Sequence, residues 1–193
     1  MFWKQFGIWA AAAVMPALTW AAAPKECVAA KPTPASYTWN FRGEASHLLK
    51  GIEVDAQHAL NHADTLTTFT DNPDMSWEAH ASQLSSLKAE INDMGGKLCR
   101  LETIRRVVAP WQQQAIDRVA PVVQLMADNA DDAIRYVSTN EGRFWVPTYK
   151  AYTTNLYNEA IQVDHDVQRL QEYAKVQAQN RELQESLHMK KAS

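Results

Sequence analysis

Asp55, His58 and His62 stand in a D-x-x-H-x-x-x-H spacing. On an α-helix, at about 100° per residue, the three side chains project within roughly 60° of one another. Two imidazoles one turn apart can share a metal ion, and a carboxylate on the adjoining turn can supply a third ligand. His80 follows a turn signal at Asp71-Asn72-Pro73-Asp74. If the chain reverses near residue 73, His62 comes opposite about residue 84, and His80 lies about one helical turn away. The three histidines could then converge with Asp55 on a transition metal such as zinc or copper, or on haem. Polar residues bordering a buried helix face satisfy the same spacing, as solvated or hydrogen-bonded groups.

Other chemistry is sparse. There is no C-x-x-C-H for covalent haem, no H-E-x-x-H, no Gly-rich phosphate loop and no G-x-S-x-G elbow. No catalytic residues are therefore expected, and a non-enzymatic role is. His47, with Glu44 one turn before it, lies along the same side of the helix, next to the apolar face. Lys97, Arg100, Arg105 and Arg106 form a basic cluster at a helix end, where cations are stabilised anyway. Asp128, Asp131 and Asp132 lack the loop geometry of a calcium site. With 19 Lys and Arg against 22 Asp and Glu, a net charge of −3, the chain has no basic excess for displacing counterions from nucleic acid.

The elements that must position these residues read as four long helices. Phe41, Ala45, Leu48, Ile52, Ala59, Ala63 and Leu66 recur at three- and four-residue intervals. After the turn, Ser76 is the expected N-cap of a second helix, whose Leu84, Leu87, Ile91, Met94, Leu98 and Leu101 keep an unbroken 4-3 alternation. That phase runs through Gly95-Gly96, which predicts a continuous helix with close packing or a slight kink there. A third helix opens at Ala109-Pro110 and carries Pro121 as a bend. Thr139-Asn140-Glu141-Gly142 supplies its stop, and a fourth helix begins near Trp145-Val146-Pro147. After about Val176 the apolar pattern gives way to Gln, Asn, Arg, Glu and Lys, predicting a solvated helical extension.

Short connections between helices of similar length make an all-α, up-down-up-down four-helix bundle. In size and architecture it resembles four-helix bundles of the cytochrome and sensor kinds, a likeness of fold alone. Trp39, Trp77, Trp111 and Trp145 each open one helix, the last three at 34-residue spacing. In this topology they would close the two ends of the core as aromatic plugs.

Ahead of the bundle, Lys4, an apolar run from Phe6 to Leu18 and small residues at Ala21 to Ala23 have the order of a secretory signal peptide. The apolar run is too short for a comfortable membrane span of about 20 residues. Cleavage after Ala21 or Ala23, with a later alternative after Ala30, predicts export to the periplasm or beyond. No transmembrane helix is expected in the mature chain. The organisation is thus a signal peptide over 1–21, a Pro- and Ala-rich linker over 22–38, the bundle over 39–187 and a frayed tail over 188–193. In an oxidising compartment Cys27 and Cys99 are candidates for a disulfide tying the linker to the bundle; Cys99 is alternatively a small half-buried apolar residue. These features lead to a non-catalytic binding or structural protein of the cell envelope, with an envelope or secreted protein partner and possible self-association through the fourth helix. A metal- or haem-binding bundle using the histidine stripe is the alternative.

Overall fold

The computed structural model describes residues 40–140 and 142–192, with residues 188–192 described as backbone only. Four α-helices and one short 3-10 turn form an up-down-up-down bundle, and the described residues contain no strand. Helix α1 spans Phe41–Thr70, α2 Trp77–Ile104, α3 Pro110–Thr139 and α4 Pro147–Ala192, with the 3-10 turn at Arg105–Val107. No described helix is long and apolar enough to cross a membrane. The expected signal peptide and linker, with Trp39 and Cys27, lie outside the described residues.

Each boundary has a local cause. The Asn40 side chain accepts a hydrogen bond from the Gly43 amide at 2.9 Å, and Ser76 caps α2 by accepting from the Ala79 amide at 3.4 Å. Pro110 opens α3 where a missing N–H costs nothing. Gly142 takes φ +82° in the turn before α4, a left-handed conformation that excludes most side chains. The helix α3 continues through Pro121, as the periodicity predicts.

The core is the predicted set of apolar faces. On α1 the fully buried Ala45, Ala56, Ala59 and Ala63 alternate with Leu49, Ile52 and Leu66. Small residues there let neighbouring helices approach while the large ones fill the space between. The seam of α2 is buried from Leu84 to Leu101 without a gap. One polar residue stitches the far end of the bundle: Gln112 is buried, and its side-chain nitrogen donates to the Arg42 carbonyl at 2.8 Å and to the Ser46 hydroxyl at 2.9 Å. Its side-chain oxygen accepts from the Ala109 amide at 2.9 Å, so one side chain caps α3 and clamps it to α1.

Two expectations need correction. Close packing at Gly95-Gly96 is not what the second glycine provides, because a Cβ added at Gly96 would meet nothing within 4 Å. The close approach between α1 and α2 is at Gly51, where a Cβ would stand 2.8 Å from Lys97 Cε. The tryptophans also fail as a set of plugs: Trp77 is 43% and Trp145 50% exposed, while Trp111 is half-buried against the core. Trp77 continues the spacing of the α2 seam one turn before the buried His80, yet stays exposed.

Candidate functional site

The predicted antiparallel register of α1 and α2 is observed. His62 was expected opposite about residue 84, and its Nδ1 lies 2.8 Å from Gln83 Oε1. The register nevertheless does not gather the candidate ligands. Asp55 is bound to Lys97, whose Nζ donates to its carboxylate at 2.6 Å after the lysine stem crosses Gly51. His58 is largely exposed and faces Glu90 at 3.7 Å. Among the described residues, no group of three His, Cys, Asp or Glu side chains is placed to hold a metal ion.

The physical reason is rotation about the helix axis. Asp55, His58 and His62 share the side of α1 that meets α2, but the side chains available across that interface are Lys97, Glu90 and Gln83. Each therefore finds its own neighbour one turn apart. His47, expected beside the apolar face, is exposed next to the N-terminal end of α1. The basic cluster is also engaged: Arg100 donates to Glu44 at 2.6 Å, and Arg105 pairs with Asp117. Hydrogen bonding to Glu44 holds the Arg100 guanidinium above its ordinary pKa. Of the acidic group, Asp131 accepts from Lys88 at 3.0 Å, and Asp132 lies 3.5 Å from Arg135.

His80 belongs to a different environment. It has no exposed surface, and its Nδ1 lies 3.0 Å from the Tyr149 hydroxyl. Phe69, Phe144 and Tyr149 surround it with ring centroids at 5.6, 4.3 and 5.4 Å, and Tyr136 stacks on Tyr149 at 5.3 Å. This aromatic cluster, drawn from α1, α2, α3, the turn before α4 and the first turn of α4, closes an end of the core that the tryptophans were expected to close. Burial pushes the Tyr149 hydroxyl well above its usual pKa, so it stays protonated and can donate to Nδ1. The other ring nitrogen, Nε2, is buried without a hydrogen-bond partner. Burial also lowers the His80 pKa from 6.5 to about 4. Periodicity placed His80 on the seam, but the sequence carried no sign of its tyrosine partner, 69 residues away.

Cys99 is half-buried on α2 and is not a free thiol. Cys27, the other half of the candidate bridge, lies outside the described residues.

The least conventional part of the molecule is the second half of α4. This helix has 46 residues against 30 in α1 and in α3, an excess worth about 24 Å at 1.5 Å per residue. Among its described side chains the last buried one is Leu170, yet the helix continues to Ala192. Tyr173, Val176, Leu183 and Leu187 along this stretch are 53, 43, 61 and 66% exposed. The backbone is helical through Ala192. Comparison of the chain with protein-family models, with curated proteins and with solved structures finds no match, so the functional reading rests on this geometry.

Proposed function

We propose that the chain is an exported, non-catalytic helical bundle that makes protein contacts in the cell envelope, with the extension of α4 as its contact element. The observation that carries this reading is the apolar stripe on α4 beyond Leu170. Four large apolar side chains held in water on a preformed helix contribute nothing to the fold of their own chain. Helices that present such a stripe are recognised by burying it against another surface. The polar groups inside the bundle point the same way, since Asp55, His62, His80 and Gln112 each serve a neighbouring helix. Export is supported by the residue order at the amino terminus alone.

Removing residues 177–193 takes away no buried described side chain, so the bundle up to Leu170 should keep its fold and its unfolding transition. The full mature chain should capture a protein from envelope extract that the shortened chain does not. Capture that is unchanged by the truncation, or no capture by either form together with a one-copy mass for the mature chain, would overturn the assignment of the contact to this segment.

A further inference from the structure

Tyr173, Val176, Asn180, Leu183 and Leu187 follow one another at intervals of three, four, three and four. This is the repeat of a coiled-coil seam, with Tyr173, Asn180 and Leu187 at the first position of each heptad and Val176 and Leu183 at the fourth. The stripe is centred roughly 140° around α4 from the buried face of Leu156, Val163 and Val167, ranging from about 100° at Tyr173 to about 180° at Leu183. Among the described residues no other helix covers its far end, where Leu183 and Leu187 are the most exposed of the four.

We infer that this stripe pairs with the same stripe of a second copy of the chain, as a short parallel two-stranded coiled coil registered by Asn180 facing Asn180. The inference rests on α4 being the contact element and names the partner that its chemistry fits. Asparagine at the first heptad position satisfies its amide against an identical amide when two helices run parallel and in register. Antiparallel pairing sets that position against the fourth, so the Asn180 amide would face Leu183 and go unsatisfied.

The flanking positions agree. Glu172, Gln177, Gln179, Gln184 and Ser186 border the seam, and only the first is charged. Two identical copies therefore meet with little like-charge repulsion, and nothing at the border calls for a partner of opposite charge. Lys175, Arg181, Glu182 and Glu185 fall on the outer side of such a coil, with both signs mixed. A membrane surface would instead favour a basic polar face. Two heptads are short for free peptides, for which helices under about 12–15 residues are marginal. Here the helix is already nucleated by its packing up to Leu170, so pairing need not supply that cost.

Sedimentation equilibrium of the full mature chain tests this. The expected mass is that of two copies, falling to one copy in Leu183→Asp at the same concentration while the circular dichroism of the bundle is unchanged. Leu187→Cys should cross-link to its counterpart on mild oxidation, because parallel register puts the two residues side by side. Asn180→Leu should still associate but lose its restriction to two copies. A one-copy mass for the parent chain at its highest soluble concentration would overturn the inference, as would a dimer that Leu183→Asp leaves intact. An intact dimer whose Leu187→Cys form does not cross-link would overturn the parallel register. A monomeric chain that still needs residues 177–193 to capture an envelope protein would end this inference and leave the reading of α4 as the contact element standing.

Discussion

Acidification from pH 7 to about 4 should remove about 3 kcal/mol of stability through His80 alone. In the folded chain its imidazole resists protonation until about pH 4, whereas in the unfolded chain it takes up a proton near the model value of 6.5. Between those values the unfolded state binds more protons, so the contribution of His80 is complete above pH 6.5 and is lost as pH falls through the window. The loss is a large share of the roughly 5–15 kcal/mol that holds a domain of this kind together. Burial is the cause. The ring has no exposed surface, its single polar contact is the Tyr149 hydroxyl, and the rings around it offer a cation no carboxylate. Urea unfolding at pH 7, 5.5 and 4.5 of the parent chain and of His80→Leu measures the effect. The difference between the two curves should shrink steadily with acid, because carboxylates elsewhere titrate alike in both. A constant difference across the window would mean that the histidine is not buried as a neutral group.

The second large effect is expected at Tyr149. It heads the largest fully buried side chains of the bundle and touches three of the rings that close this end of the core. Tyr149→Ala should cost about 3–5 kcal/mol, the range for emptying an aromatic site whose surroundings relax only partly. Tyr149→Phe keeps the ring and removes the hydroxyl, leaving His80 with neither nitrogen bonded. Its cost should be about 1–3 kcal/mol, the penalty for a buried polar atom without a partner. Both variants should lower the urea midpoint without changing the slope of the transition. A cost below about 1 kcal/mol for Tyr149→Ala would contradict the role of this cluster as the end closure.

The histidine stripe and the aromatic cluster show where sequence reading succeeds and where it stops. Spacing at three and four residues recovers helix faces because a face is a local property of one helix. The seam from Leu84 to Leu101 and the opposition of His62 and Gln83 both follow from it. The partner across an interface is not local. That Lys97 would cross Gly51 to reach Asp55 depends on two helices and on the absence of one Cβ. The end closure failed for a related reason. Trp77 and Trp145 lie at the right height along the bundle, but whether a ring turns inward depends on what stands beside it. Phe144 and Tyr149 occupy that space instead, with 4% and 0% exposure. The extension of α4 was legible as polar and helical, while its apolar stripe was hidden by the low overall hydropathy of the segment. Only the exposure of Leu183 and Leu187 beyond the last buried residue makes that stripe visible.

The central claim divides α4 into a part that folds the bundle and a part that meets another surface. Amide hydrogen exchange along α4, followed as a function of protein concentration, tests that division directly. Amides from Tyr149 to Leu170 should be protected equally at every concentration. Those from Tyr173 to Leu187 should exchange rapidly in dilute protein and gain protection as concentration rises. Equal protection along the whole helix in dilute protein would contradict the division of α4, and a 173–187 segment that stays unprotected at every concentration would contradict the pairing of two copies.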